Sequence, residues 1–429
     1  MYRSAYNSLK EWKMLADRKP MILLGARQVG KTWLMTEFGR NEYRNVVYIN
    51  CDTEPMMRKL FLADYDINRL LLGFQAITGE SIDEGETLII LDEIQEAPRG
   101  LHSLKYFCES APGYHIMAAG SLLGITLTQQ ESFPVGKVDM LRIYPLTYIE
   151  FLRAMGQSAL ADMLESGDFT LIEPFSERLT QLLYEYYYVG GMPEVVKSFA
   201  EKKDLNRVRY LQNLILDAYR DDISKHTSKV ESVRIGQVLE SLPAQLAKEN
   251  KKFIYGAIKP GARASAFELA IRWLIDAGLI YRVNRVNQLA VPIKIYEDVS
   301  AFKLFLLDVG LLGCMADVPA SMVMGFDGLS PEFRGMIAEE YVAQQLASRG
   351  YKIYYWSNDN STSELDFIVQ KDSMLLPIEV KSSTNVRAKS LSAYLKADPF
   401  RRGIRYSLMP YRGQEQMTNY PLFAAGIGL

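Results

Sequence analysis

An eight-residue stretch near the N-terminus constrains the fold of this 429-residue chain more than any other feature. Residues 25–32 read Gly-Ala-Arg-Gln-Val-Gly-Lys-Thr, which fits the pattern G-x-x-x-x-G-K-[ST] at every fixed position. An apolar strand, Met21–Leu24, precedes the stretch, and a helix is predicted to begin at Lys31. In such a loop the backbone N–H groups converge on phosphate oxygens, and the helix adds its positive N-terminal end. The sequence therefore predicts a phosphate-binding loop in an α/β domain.

The side chains of this loop have predicted roles. Lys31 is expected to neutralise the β- and γ-phosphates and to act in catalysis, and the hydroxyl of Thr32 to ligate Mg²⁺. Arg27 has two interpretations: it stabilises phosphate charge, or it braces the loop against a neighbouring carboxylate. The predicted cofactors are ATP and Mg²⁺. The residues assigned to nucleotide binding are Gly25, Ala26, Arg27, Gln28, Val29, Gly30, Lys31 and Thr32.

Polar residues that follow two later apolar strands complete the predicted nucleotide site. Asp92 and Glu93 come directly after the apolar run Leu88–Leu91. After a phosphate loop, the first carboxylate is expected to hold Mg²⁺ and the second to activate the attacking water. Ser121 follows the apolar run His115–Ala119 and Gly120. Because ligands bind at the carboxyl ends of parallel strands, Ser121 either senses the γ-phosphate or makes a local turn bond.

Apolar strands separated by helical stretches predict a P-loop NTPase sheet, parallel and covered on both faces. A mainly helical region follows, and then a winged-helix-like unit. That unit has a short strand at Lys252–Tyr255 and a hairpin formed by Leu279–Val283 and Ile293–Tyr296. The last segment is predicted to be a second α/β domain. The predicted domains are an ATPase domain at 1–155, a helical lid or linker at 156–230, the winged-helix-like domain at 231–325 and the last domain at 326–429.

The chain resembles a prokaryotic family of AAA+-superfamily ATPases, in which the ATPase core is followed by a C-terminal domain of undefined role. Besides the phosphate loop, the resemblance rests on residues 92–95 (Asp-Glu-Ile-Gln), 144–151 (Tyr-Pro-Leu-Thr-Tyr-Ile-Glu-Phe), 190–194 (Gly-Gly-Met-Pro-Glu), 303–311 (Lys-Leu-Phe-Leu-Leu-Asp-Val-Gly-Leu) and 334–339 (Arg-Gly-Met-Ile-Ala-Glu). Members usually show Gly-Arg where this chain has Gly136-Lys137. If that arginine stabilises charge, Lys137 serves the role less well because it cannot grip phosphate bidentately.

A second group of charged residues lies in the last segment. Asp366 follows Glu364-Leu365, and Glu379 and Lys381 alternate along an apolar strand, so both point to one face. Asp366 and Glu379, with Glu339, are predicted to hold a second Mg²⁺, with Lys381 stabilising a scissile phosphate. This pattern resembles the PD-(D/E)XK nuclease core, and implies a restriction-endonuclease-like domain. Two alternatives stay open: a scaffold that only binds, and a simple Glu-x-Lys ion pair.

Composition limits the partners. The net charge is −2, so any face that binds DNA must be local. Two groups of cations are candidates for binding DNA. One lies in the winged-helix-like region: Lys248, Lys251, Lys252, Lys259, Arg263 and Arg272. The other follows Lys381 in the last domain: Arg387, Lys389, Lys396, Arg401, Arg402 and Arg405. Arg142 and Arg220 are positional candidates for an arginine finger, which a second copy of the chain could also supply. Three scattered cysteines, no signal-like N-terminus and no long apolar run predict a cytoplasmic chain with no membrane partner.

The predicted function is an ATP-driven switch, in which nucleotide binding and hydrolysis reposition C-terminal modules that engage DNA. Two alternatives are an ATP-regulated, Mg²⁺-dependent DNA nuclease and a non-catalytic module that binds a protein partner.

Overall fold

A computed structural model describes residues 1–125, 134–248, 251–321, 328–358, 363–383, 389–427 and 429. The chain divides into two compact units. The N-terminal unit comprises residues 2–144 and 276–278, and the C-terminal unit comprises residues 145–275 and 279–429 together with Met1.

The N-terminal unit contains a five-stranded, wholly parallel sheet with the strand order β2-β3-β4-β1-β5. Its strands are β1 (Met21–Leu24), β2 (Asn45–Asn50), β3 (Thr87–Asp92), β4 (His115–Ala119) and β5 (Asp139–Arg142). All residues of β3 and β4 are buried, as expected for the centre of a sheet covered on both faces. The predicted α/β sheet of the P-loop type is confirmed.

Helices cover this sheet: α1 (Ala5–Met14), α2 (Lys31–Glu42), α3 (Pro55–Ala63), α4 (Ile67–Thr78) and α5 (Gly100–Ser110). One apolar core includes Ile89 and Leu91 of β3 together with Phe61, Phe74 and Phe107 of the helices. Since the strands run parallel, the carboxyl ends of β1, β3 and β4 meet at one edge of the sheet. The residues that follow these strands are the ones predicted to form the nucleotide site.

The C-terminal unit begins with helices. They are α6 (Tyr148–Ala154), α7 (Ser158–Ser166), α8 (Phe169–Ile172), α9 (Ser176–Val189), α10 (Pro193–Lys202), α11 (Leu205–His226), α12 (Lys229–Leu246) and α13 (Ala264–Asp276), of which the last residue belongs to the N-terminal unit. Two helices start at capping boxes, Thr147 with Glu150 and Ser228 with Glu231. Each box satisfies N–H groups that have no partner inside the helix.

An eight-stranded mixed sheet occupies the rest of the C-terminal unit, in the order β12-β13-β11-β10-β9-β8-β6-β7. Its elements are β6 (Ile280–Val286), β7 (Glu297–Leu306), α14 (Val309–Met315), α15 (Pro331–Ser348), β8 (Ile353–Ser357), β9 (Glu364–Lys371), β10 (Met374–Val380), α16 (Lys389–Lys396), β11 (Gly403–Ser407), β12 (Arg412–Gly413) and β13 (Met417–Pro421). β6 pairs with β8, so the boundary predicted at residue 325 lies between strands that share hydrogen bonds.

Two local predictions in the winged-helix-like region were wrong. The second strand of the hairpin is β7, not Ile293–Tyr296, which forms a 3-10 turn after Pro292. Residues 252–255 do not form a strand: Phe253 N–H donates one hydrogen bond to Phe302 O (2.8 Å), and a 3-10 turn begins at Tyr255. In both places a turn replaces the extended ladder that short apolar runs suggest.

Two of the stretches that carry the family resemblance, residues 190–194 and 303–311, meet at Asp308, which is fully buried. Its carboxylate accepts hydrogen bonds from Gly191 N–H (2.6 Å), Leu311 N–H (3.0 Å) and Gln344 Nε2 (3.3 Å). A Cβ added at Gly190, where φ is 73°, would lie 2.1 Å from Asp308 Oδ1. Burial raises the pKa of Asp308 to about 6. The hydrogen bonds of this one buried carboxylate therefore connect the turn after α9 with α14 and α15.

Among the helices that the structure describes, none combines the length and the apolar character needed to cross a membrane.

Candidate functional site

The phosphate loop adopts a backbone that favours glycine. φ is positive at Gly25 (146°), Gln28 (67°) and Gly30 (92°), and α2 begins immediately after Gly30. A Cβ added at Gly25 would lie 2.3 Å from the carbonyl oxygen of Ile143, so no side chain fits there. Positive φ values next to a helix N-terminus orient successive N–H groups into one concavity. The loop is therefore preformed as a cradle for an anion.

Lys31 lies inside this cradle. Its side chain is buried, and its ammonium donates hydrogen bonds to the loop's own carbonyl oxygens at Gly25 (2.9 Å) and Ala26 (2.8 Å). Burial lowers the pKa of Lys31 to about 8, although the carboxylates of Glu93 and Asp92 oppose the shift. A desolvated cation held only by carbonyl dipoles fits a phosphate ligand, which would supply full negative charge.

Asp92 connects the phosphate loop to two strands. Its Oδ2 accepts hydrogen bonds from the hydroxyls of Thr32 (2.7 Å) and Tyr48 (3.1 Å). Thr32 and Asp92, the predicted magnesium ligands, are thus neighbours, and hydroxyl and carboxylate oxygens are the donors that Mg²⁺ prefers. Burial, together with the charge of Asp92, raises the pKa of Tyr48 to about 12, so its hydroxyl stays a donor. Tyr48 was not identified from the sequence; its position in a strand beside β3 was the available signal.

Glu93, the predicted general base, is held by polar groups. It has φ 48°, and its carboxylate accepts hydrogen bonds from Ser121 N–H (3.0 Å), Ser121 Oγ (2.9 Å) and Gln95 Nε2 (2.7 Å). A Cβ at Gly120 would lie 1.8 Å from Gln95 Oε1, so that glycine makes room for the amide. Ser121 therefore binds the predicted base, a contact that neither of its two predicted roles included.

An arginine outside all the predicted motifs braces the loop. Arg3 is buried, and its guanidinium donates to Val29 O (2.8 Å) and Tyr144 O (2.6 Å). Arg3 thus ties the phosphate loop to the segment after β5. Its position before α1 gave no signal in the sequence, because a single arginine at the start of an amphipathic helix usually points to solvent.

The other predicted arginines and Lys137 occupy different places. Arg27 is exposed on the loop, and Arg142 is exposed at the end of β5, where it pairs in register with Leu24 of β1. Lys137 precedes β5, at the edge of the sheet opposite the phosphate loop, and forms an ion pair with Glu109 (2.9 Å). It therefore lies away from the loop of its own chain. Arg220, in the C-terminal unit, pairs with Asp217 and Glu240.

The charged residues predicted in the last segment come together in the C-terminal unit. Glu379 Oε1 pairs with Lys381 Nζ (2.6 Å), and Asp366 Oδ2 accepts a hydrogen bond from Val380 N–H (2.8 Å). Glu339 Oε1 pairs with Lys251 Nζ (2.5 Å). Lysines thus engage two of the three carboxylates predicted to hold a metal.

A lysine that was not singled out from the sequence lies at the centre of this group. Lys303 of β7 is fully buried and forms an ion pair with Glu364, and its Nζ lies 3.8 Å from Glu339 Oε2. Burial alone would lower the pKa of Lys303, but the charges of Glu364 and Glu339 raise it above its ordinary value. The available signal was a lysine inside the apolar run 301–307.

The electrostatics of the acidic residues follow from the same packing. Burial raises the pKa of Asp366 well above its ordinary value, and the charges of Glu339 and Glu379 add to the effect. Burial also raises the pKa of Glu379. Within the described part of the chain, no group of three or more histidine, cysteine, aspartate or glutamate side chains is arranged to hold a metal ion. The second magnesium site stays a prediction.

The candidate DNA-binding cations differ in their exposure to solvent. Those that are exposed are Lys248, Lys252, Lys259, Arg263, Arg272, Lys389, Lys396 and Arg402. Lys251 is turned inward to Glu339, Arg401 donates to Tyr394 O (2.9 Å), and Arg405 donates to Asn419 Oδ1 (2.9 Å). Arg387 lies outside the described residues.

Family models match three parts of the chain. Residues 17–152 match an AAA domain, and residues 180–321 and 334–422 match two domains of unknown function, DUF8612 and DUF4143. No curated protein matches the chain. The first match and the geometry of residues 25–32 agree: the chain carries a P-loop ATPase domain of the AAA type.

Solved structures similar to the chain include a Walker-type ATPase of Pyrococcus abyssi, at 16% identity and a TM-score of 0.45, over 73% of this chain and 95% of that one. Drosophila ORC bound to DNA matches at 15% identity and a TM-score of 0.31, over 77% of this chain and 96% of that one. The Aeropyrum pernix ORC1 protein in complex with DNA matches at 13% identity and a TM-score of 0.28, over 74% of this chain and 91% of that one. Likeness at this level carries no information about what this chain binds.

Proposed function

We propose that the protein is an ATP-driven switch: the N-terminal unit binds and hydrolyses ATP, and the C-terminal unit responds. The observation that carries the proposal is the placement of Lys31, Thr32, Asp92 and Glu93 at one edge of the parallel sheet. Thr32 Oγ1 and Glu93 N–H both donate to Asp92, and Lys31 donates to the carbonyl oxygen of Gly25. Each of these side chains has the chemistry that its position in a phosphate-binding site requires.

ATP supplies the γ-phosphoryl group that is transferred, and Mg²⁺ would be held by Thr32 and Asp92 and neutralise phosphate charge. The chain's own groups perform the remaining tasks. The ammonium of Lys31, already desolvated, offers positive charge to the phosphates. Glu93 accepts the proton of the attacking water, and the Ser121 hydroxyl, which contacts both of its carboxylate oxygens here, competes with that water for them.

Two substitutions separate binding from hydrolysis. Lys31→Ala removes the cation inside the cradle, and we expect loss of nucleotide binding in a fluorescent-nucleotide titration. Glu93→Gln keeps the size of the side chain, and we expect binding to persist while turnover falls by about 10²–10⁴-fold. The exposed Lys59 provides a matched control, since Lys59→Ala should change neither quantity. Purified protein that neither binds nor hydrolyses ATP, with or without DNA, would contradict the proposal.

We also propose DNA as the partner of the C-terminal unit. Support comes from exposed cations before and along α13, among them Lys259, Arg263 and Arg272. Cations that bind phosphates release counterions, and removal of one such cation reduces the salt dependence of binding by about 0.9 in log–log slope. The double variant Lys259→Ala/Arg263→Ala should bind a labelled duplex more weakly, with the slope reduced by about 2. An unchanged slope, or no duplex binding by the parent, would favour a protein partner instead.

A further inference from the structure

A cluster of buried and half-buried charged residues in the C-terminal unit is paired internally. We call it the lysine–carboxylate cluster; its members are Lys251, Lys303, Lys381, Glu339, Glu364, Asp366 and Glu379. Three ion pairs account for six of them: Lys251 with Glu339, Lys303 with Glu364, and Lys381 with Glu379. Asp366 is instead bound by the backbone N–H of Val380.

The residues do not fit a divalent metal. A metal site needs carboxylate oxygens that converge on one point and face no other cation. In this cluster an ammonium already occupies one oxygen each of Glu339, Glu364 and Glu379. The second oxygens of Glu339 and Glu379 are buried without a hydrogen-bond partner, but Lys303 Nζ lies 3.8 Å from that of Glu339. A cation of charge +2 placed among these ammonium groups would be repelled by all of them.

Lys303 is the most informative member of the cluster, because the nuclease-like pattern does not include it. It comes from β7, whereas Glu339 lies on α15 and Glu364 starts β9. Its side chain is fully buried, and its ammonium also lies 5.0 Å from the centre of the Tyr355 ring. A fully buried ammonium is costly unless it is paired, and Glu364 and Glu339 supply the opposite charge that stabilises Lys303 here.

We propose that the lysine–carboxylate cluster is a metal-independent structural centre in which the Lys303 ammonium is the resident cation, so that the last domain is a binding scaffold rather than a metal-dependent nuclease. The proposal is independent of the nucleotide site and goes beyond the proposed ATPase function. It removes the need for a second magnesium ion in the C-terminal unit.

The test uses the full chain in an Asp92→Asn background, which removes the magnesium carboxylate of the phosphate loop. Mn²⁺ is titrated without nucleotide, and bound metal is followed by electron paramagnetic resonance. We expect that Glu379→Gln does not change the amount of Mn²⁺ bound, because the cluster contributes no saturable site. We also expect the same unfolding temperature in EDTA and in Mn²⁺. Saturable binding that Glu379→Gln abolishes, or Asp366-dependent nicking of DNA by the parent chain, would overturn the proposal.

A second variant tests the cation itself. Lys303→Met keeps the length of the side chain and removes the charge, leaving Glu364 without its partner. We expect the unfolding temperature in EDTA to fall by about 6–15 °C, because Glu364 is left as a carboxylate without its cation. Lys294→Met, at an exposed lysine, should leave the unfolding temperature unchanged. A Lys303→Met protein as stable as the parent in EDTA would contradict the role of Lys303; if this variant does not fold, the Mn²⁺ titration of the parent decides the question.

Discussion

The nucleotide site and the lysine–carboxylate cluster both place carboxylates beside lysines, yet they are built differently. In the nucleotide site, hydroxyl and N–H groups bind Asp92 and Glu93, and Lys31 donates to carbonyl oxygens. In the cluster, lysines pair directly with carboxylates. In the first arrangement Lys31 forms no direct ion pair with Asp92 or Glu93, so their charged groups stay available to a ligand; in the second the charges are paired within the chain. The difference indicates chemistry at one site and packing at the other.

Removal of the carboxylate that we propose to hold Mg²⁺ gives the largest expected effect on this comparison. Asp92→Asn takes one charge from the group that Thr32 and Tyr48 hold, and we expect ATP turnover to fall by at least about 100-fold. Turnover of the parent chain should likewise stop in EDTA and return with Mg²⁺. The exposed Asp83 serves as the control, because Asp83→Asn leaves the site intact. Turnover that persists in EDTA would show that the nucleotide site does not use the metal.

A pair of glycine substitutions tests the preformed backbone. Gly25→Ala meets the Ile143 carbonyl at 2.3 Å in a region of φ that disfavours side chains, and we expect it to abolish nucleotide binding and to cost about 3 kcal/mol of folding free energy. Gly335→Ala lies within α15 with nothing within 4 Å of the added carbon, so stability should rise by about 0.5–1 kcal/mol. Chemical denaturation measures both. Equal effects at the two positions would refute a special role for the loop geometry.

The two sites also differ in how far their sequences predict them. The phosphate loop, the strand preceding it, and Asp92 and Glu93 at the end of β3 lie at one sheet edge, because spacing along parallel strands fixes which residues meet there. The hydrogen-bond partners of those residues were not predicted: Tyr48 and Arg3 were not identified, and Ser121 was assigned roles other than binding Glu93. In the C-terminal unit, Glu379 and Lys381 did come together, but Lys303 arrives from a distant strand, and only tertiary packing reveals the cation.

Histidine protonation provides a smaller test, confined to the N-terminal unit. Burial lowers the pKa of His115 from 6.5 to about 4, and the charges of Arg18 and Lys13 add to the effect. The folded protein favours the neutral ring. Its contribution to the free energy of unfolding is therefore complete above pH 6.5 and is lost as the pH falls toward 4. We expect a loss of up to about 3 kcal/mol over this window, and a flatter profile for His115→Gln. A His115→Gln profile identical to that of the parent would exclude this cause.

The smallest expected effect concerns the restraint on Glu93. Ser121→Ala removes the hydroxyl bond but leaves the backbone N–H bond, so we expect basal ATP turnover to rise by about three- to tenfold. A steady-state assay with Ser103→Ala, a buried serine outside the site, as control measures the change. A fall in turnover would instead support the predicted role of Ser121 as a γ-phosphate sensor.

Hydrogen–deuterium exchange tests the switch itself most directly. ATP and Mg²⁺ are added to the Glu93→Gln chain, which is expected to bind nucleotide without consuming it, and exchange is compared with the nucleotide-free protein. The proposal predicts altered protection both around residues 25–32 and in peptides of residues 145–429. Changes confined to the N-terminal unit would contradict it, because nucleotide binding would then have no effect on the C-terminal unit.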